Sequence, residues 1–94
     1  MIKRFVKMSF KPEYIEDFKS VFDCNKAFIA ASKGCRHVEL LQDTNNPNIF
    51  FTFSIWENAI DLEAYRQSEL FENVWEKTKV LFNDKPEAWS VKEL

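Results

Sequence analysis

Glycine occurs once in this sequence, at Gly34, and histidine once, at His37. A single glycine excludes a Gly-rich phosphate loop, because such a loop needs several positions where backbone can close on an anion. One histidine among scattered acids gives no cluster with metal-ligand spacing, so no metal is expected. Cysteine occurs only at Cys24 and Cys35, a spacing that fits neither a CxxC redox pair nor a zinc knuckle. Both are expected as free thiols, packed as small buried hydrophobes rather than serving as nucleophiles. No apolar run approaches the ~20 residues of a membrane span. The opening "MIKRFVKMSF" alternates apolar with polar residues and lacks the continuous apolar stretch of a secretion signal, so a cytoplasmic location is expected. The net charge is only -2, with both signs interspersed, so no basic patch points to nucleic acid as a partner.

Aromatic residues, by contrast, are plentiful: ten Phe, three Trp and two Tyr in 94 residues. A chain of this length fits a single domain over 1–94, and a domain so small buries only a modest share of its surface. Each buried ring removes roughly 150–250 Å² from water. That is more aromatic surface than one small interior takes up, so some rings are expected to line a pocket or an interface.

Apolar and polar residues alternate from Ile2 to Phe10, as in a strand. "KPEYIEDF" then opens a helix, with Pro12 in the first turn and Glu13 at the positive end of the helix dipole. Its apolar positions are Tyr14, Ile15, Phe18, Val21, Phe22, Phe28 and Ile29. Gly34 stands where this helix should stop and suits a left-handed C-cap. Cys35–Gln42 and Ile49–Trp56 read as two strands of a hairpin, separated by the turn sequence "DTNNPN". Asn58 can cap a short helix running to about Arg66, and Ser68 can cap another. The latter carries Leu70, Phe71, Val74, Trp75, Thr78, Leu81 and Phe82 on one stripe until "NDKPE" breaks it; Ala88–Leu94 is a last, weak strand. The order β-α-β-β-α-β, with its second helix split, predicts an α+β fold of the ferredoxin-like kind, an antiparallel sheet with helices on one face.

The third strand, "IFFTFSIW", presents two different rows. Phe51, Phe53 and Ile55 form one apolar row, expected to lie bare together with Val6 and Met8 and so to pair with a second copy into a homodimer. Phe50, Thr52, Ser54 and Trp56 form the other, expected to lie beneath the helices. Its small hydroxyl residues leave space there, either for a ligand or simply for bulky helix side chains.

"KGC" at Lys33–Cys35, "ELLQD" at Glu39–Asp43, "IWEN" at Ile55–Asn58 and "LEAYRQSELF" at Leu62–Phe71, in this element order, resemble the antibiotic biosynthesis monooxygenase-like family of dimeric α+β barrels. The resemblance covers essentially the whole chain. It implies a homodimer joined through its sheets, with a pocket in each subunit between sheet and helices. It also implies a range of members: cofactor-independent oxygenases of polycyclic aromatics or quinols, haem-degrading enzymes, and many proteins of no known activity. Trp56 matches the pocket tryptophan of the haem-degrading branch, but Phe5 and Trp75 occupy the places of that branch's asparagine and histidine. Without the histidine, haem degradation is not expected, nor is any other resident cofactor. Tyr65 replaces a histidine common in relatives, Ser54 an acid, and Val38 a tyrosine.

The expected ligand-binding set is therefore Phe5, Thr52, Ser54, Trp56, Phe71 and Trp75, with Trp56 and Trp75 as stacking walls. Tyr65, a candidate catalytic residue, and Ser54 are the expected hydrogen-bond partners of the ligand. His37, sharing a strand face with Glu39, is the candidate base; the same pair also reads as an ordinary half-solvated polar patch. Lys3, Arg4 and Lys7 give the first strand a basic character that suits either an anion at the pocket mouth or the solubility of an edge. The expected function is that of a cofactor-independent monooxygenase or oxidoreductase acting on a small planar aromatic. The alternative is a non-catalytic dimeric protein that binds a small ligand.

Overall fold

In the computed structural model, which describes residues 1–94, four strands and three helices follow the expected order. Strand β1 is Ile2–Ser9, α1 is Ile15–Ala30, β2 is Cys35–Gln42 and β3 is Ile49–Trp56. Helix α2 spans Ala59–Arg66, α3 spans Glu69–Lys79, and β4 is Glu87–Lys92. The sheet order is β2-β3-β1-β4 with every neighbouring pair antiparallel. Such a sheet with its helices on one face is the ferredoxin-like α+β arrangement. No helix is long and apolar enough to cross a membrane.

The local signals act as their chemistry dictates. The side chain of Asn58 accepts a hydrogen bond from the Asp61 amide, and that of Ser68 from the Phe71 amide, so each satisfies an amide left free at a helix start. In the β2–β3 turn, Asp43 Oδ2 accepts from the amides of Asn45 and Asn46. Pro12 opens a single 3-10 turn, Pro12–Tyr14, that leads into α1. Gly34 is left-handed, with φ of 80°, but it does not cap α1. The helix ends three residues earlier on a right-handed Ala31, and Gly34 belongs instead to the turn entering β2.

The core gathers Met8, Phe10, Phe18, Phe22, Ile29, Val38 and Phe50. Phe10 is fully enclosed just beyond β1, stacked on Phe18 at 4.1 Å and edge-on to Phe50 at 5.8 Å. Each such side chain contributes roughly 1.5–3 kcal/mol of burial. Along α1, Phe18, Phe22 and Ile29 share the inward stripe. Phe28 lies about 100° off the centre of that stripe at roughly 100° per residue and is exposed, contrary to its expected place. Cys24 also points outward and is exposed, while Cys35 is half-buried.

The two sheet faces correct the expectation for β1. Residues directly opposed across strands share a face, and Val6 opposes Thr52 while Met8 opposes Phe50. Val6 and Met8 therefore lie beneath the helices, and Met8 is core. The open face carries Phe5, opposed to Phe53 and to Trp89, with Lys3 and Lys7 on either side. Alternation sorts a strand into two rows but does not say which row faces the helices; a slip of one residue reverses the assignment. β4 is exposed along its whole length, so the helical layer stops short of it.

Candidate functional site

Between the sheet and the helices lies a cavity of about 410 Å³, within the range of small-molecule sites. Its floor comes from alternate residues of β1 and β3, among them Arg4, Val6, Thr52, Ser54 and Trp56. Its roof comes from α2 and α3, with Tyr65, Arg66, Phe71 and Trp75, and α1 closes the inner end. The rim is formed by Pro86, Glu87 and Ala88 at the start of β4.

A connected series of rings forms one wall. Tyr65 stacks on Trp56 at 5.0 Å with planes 28° apart, and Phe71 meets Tyr65 edge-on at 5.4 Å. Trp75 lies nearly parallel to Phe71 at 6.0 Å, and Phe82 meets Trp75 edge-on. Trp56 is locked: it is 1% exposed, and its indole Nε1 donates to Ser54 Oγ at 3.0 Å. Ser54 thus has a specific task, accepting a buried indole N–H that would otherwise be left without a partner. The roof is held by the bend between α2 and α3, where Ser68 Oγ donates to the Tyr65 carbonyl at 2.6 Å while capping α3.

The polar groups of the site differ in their readiness to react. Burial, and then the nearby Cys35 thiol, push the Tyr65 phenol up to about 12, so near neutral pH it is a hydrogen-bond donor and not a base. Thr78 Oγ1 is spent on the Val74 carbonyl. Arg4 Nη1 donates to Ser90 Oγ at 3.0 Å. Burial and then the neighbouring Arg66 charge lower the Arg4 guanidinium from its usual value, against a smaller opposing influence of Glu63. Arg66 itself pairs with Glu63 at 3.1 Å.

The structure brings six of the eight expected residues, Thr52, Ser54, Trp56, Tyr65, Phe71 and Trp75, to one cavity. It does not bring Phe5 or His37. Phe5 stacks on Phe53 at 4.9 Å on the open face, in the row that alternation left ambiguous. His37 stands on that same face, opposed to Ile55, with its Nε2 3.4 Å from Glu39 and its ring 5.8 Å from Phe53. A bulge between Cys35 and His37 turns Cys35 toward the helices while His37 faces away from them. The reading of the sequence missed Arg66 as a site residue and left Arg4, grouped with Lys3 and Lys7, open between an anion at the pocket mouth and the solubility of an edge. The signal for Arg4 was its position in the row Ile2, Arg4, Val6, Met8, a charge among residues that go beneath helices.

The fold is widely shared. A conserved protein of Methanosarcina mazei Go1 superposes with a TM-score of 0.94 at 18% identity, covering 99% of this chain and 92% of its own. A Nitrosomonas europaea protein, provisionally described as an antibiotic biosynthesis monooxygenase, gives 0.92 at 17% identity, with 100% and 99% covered. A Caulobacter crescentus CB15 protein with the same provisional description gives 0.92 at 14% identity, with 99% and 89% covered. No curated protein matches the chain. At these identities the solved structures speak for the fold alone. The sequence itself carries the lineage, because the profile described as antibiotic biosynthesis monooxygenase matches residues 1–77, through β1 to β3 and most of α3: this chain belongs to that family.

Proposed function

We propose that this protein is a cofactor-independent oxidoreductase of the monooxygenase type, acting on a small planar aromatic of the quinol or polyphenol class. The observation that carries this reading is the aromatic wall of Trp56, Tyr65 and Phe71 beside a cavity of about 410 Å³. A flat ring laid on such a wall gains roughly 0.5–1.5 kcal/mol from ring–ring contact beyond its burial. In this chemistry the substrate supplies the electrons. An electron-rich phenol reacts with dioxygen as its anion; one oxygen atom stays in the product and the other leaves as water. The protein's part is to hold the ring, limit water and offer a donor where negative charge gathers, a role that suits the protonated Tyr65 phenol. His37 faces away from the cavity, so the phenolic proton goes to water at the cavity mouth. A second copy covers the open sheet face, where Phe5, Phe53, Ile55 and Trp89 are only partly buried. The free thiols Cys24 and Cys35 fit a reducing, cytoplasmic setting.

One observation favours a second reading, a non-catalytic dimer that binds a small aromatic. The only histidine is outside the cavity and the Tyr65 phenol stays protonated, which leaves the aromatic wall without a base near neutral pH. Oxygen uptake separates the two. With a panel of quinols and polyphenols under air, the enzyme consumes oxygen above the buffer rate for at least one compound. Binding of those compounds, followed by tryptophan fluorescence, with no oxygen consumed by any of them assigns the protein to the binder reading.

A further inference from the structure

We infer that the ligand of this cavity is an aromatic acid, and that Arg4 and Arg66 form a two-guanidinium receptor for its carboxylate. The inference rests on the reading of the cavity as a planar-aromatic site and adds the chemical class of what enters it.

Arg4 is the first ground. Its strand position places it on the helix-covered side of the sheet, opposed to the buried Ser54 and to Ser90. It is half-buried, and its one side-chain bond goes to a neutral oxygen, Ser90 Oγ. None of the protein's ion pairs includes it. A guanidinium has five N–H donors in a rigid fork suited to a carboxylate, and most of those of Arg4 are uncommitted.

The second ground is the neighbour. Arg66 lines the same cavity from α2, close enough for its charge to lower the proton affinity of Arg4. Two like charges held together at the mouth of an apolar cavity repel each other in the free protein, and an anion between them relieves that repulsion. The acids nearby answer these two charges only in part. Glu63 accepts from Arg66 and from Gln67 Nε2 at 2.9 Å, and it is exposed. Glu87 contributes to the rim, but it makes no ion pair with either arginine, and its strand partner Lys7 belongs to the open face. A flat ring on the Tyr65–Phe71 wall, backed by Trp56, with a carboxylate toward the rim satisfies both halves of the site. The acid is drawn to charge and the ring to the aromatic wall.

Equilibrium dialysis with 2-naphthoate and its neutral analogue 2-naphthylmethanol tests the receptor. The protein binds the acid about tenfold more tightly or better, as charge-assisted hydrogen bonds allow. Arg4→Gln and Arg66→Gln each lose most of that preference while holding the alcohol as before. Ser90→Ala, which removes the bond from Arg4 to the Ser90 hydroxyl and leaves the backbone pairing of β1 with β4 in place, keeps it. Circular dichroism reports whether each variant folds; if Arg4→Gln does not, Arg66→Gln at its exposed position decides. Equal binding of the two probes by the unaltered protein, or a preference that survives Arg66→Gln undiminished, overturns the receptor and leaves the aromatic site standing. Failure of both probes to bind overturns the aromatic-site reading and the receptor with it.

Discussion

Tyr65 lies at the meeting point of the ring wall, between Trp56 and Phe71, and its chemistry sets a pH window. Its ordinary value of 10.0 is raised to about 12 in the fold, chiefly by burial. The unfolded chain therefore gives up this proton first. The contribution is fully present below pH 10 and is lost as pH rises toward 12. Urea midpoints measured from about pH 9 to about pH 12 should fall more steeply for the unaltered protein than for Tyr65→Phe. At Trp56 the expected change is in binding. Trp56→Phe removes the indole donor to Ser54 and part of the ring that backs Tyr65, and affinity for planar aromatics should drop by about 1 kcal/mol, roughly fivefold. An unaltered dissociation constant would place the ligand away from this wall. Gly34 supplies the sharpest steric case. A Cβ there would run into the Asp61 side chain, and the φ of 80° is one that L-residues avoid. Asp61 is buried at the start of α2 and bonded to Asn58. Gly34→Ala should therefore cost roughly 1–3 kcal/mol in denaturant melts, with the entrance of α2 displaced. The lone glycine was visible in the sequence; its opponent Asp61, twenty-seven residues on, was not.

Elements show the clearest division between what sequence reveals and what it hides. The bounds of β2, β3 and α2 follow from turn and cap chemistry that acts over three or four residues: Asp43 in the hairpin turn, Asn58 at α2, Ser68 at α3. Ser68 does two things, capping α3 and tying the end of α2 through the Tyr65 carbonyl. Ser68→Ala should cost about 1 kcal/mol of stability. It should also weaken aromatic binding, since the bend it secures carries Tyr65, Arg66, Phe71 and Trp75; thermal melts and ligand titration of one sample measure both. β1 is different. Both of its rows contain large apolar residues, Val6 and Met8 in one and Phe5 in the other. Nothing local tells them apart, and the choice is made across strands by Phe50 and Thr52. Phe5 was misplaced for this reason. For His37 the difficulty was another: its row on β2 was readable, but which side of the sheet the helices cover was not.

At the scale of the whole molecule, the helical layer covers one side of the sheet and leaves the other with the stacked Phe5–Phe53 pair, a partly exposed Ile55, and Trp89 at 44% exposure. A face of this kind gains from association. Sedimentation at micromolar concentration should show a dimer for the unaltered protein and a folded monomer for Phe53→Lys, which places a charge in the middle of the face. A monomeric unaltered protein would refute the dimer. The sequence by itself determined the element order, the N-caps Asn58 and Ser68, the hairpin, the α+β class and the aromatic character of the cavity, because each of these is written in short-range spacing and composition. Only the tertiary structure decided which β1 row faces the cavity, that His37 stands outside it, and that Arg4 and Arg66, sixty-two residues apart, both line it. Those outcomes depend on strand register and on where the helices settle, and both are fixed by packing between segments distant in the chain.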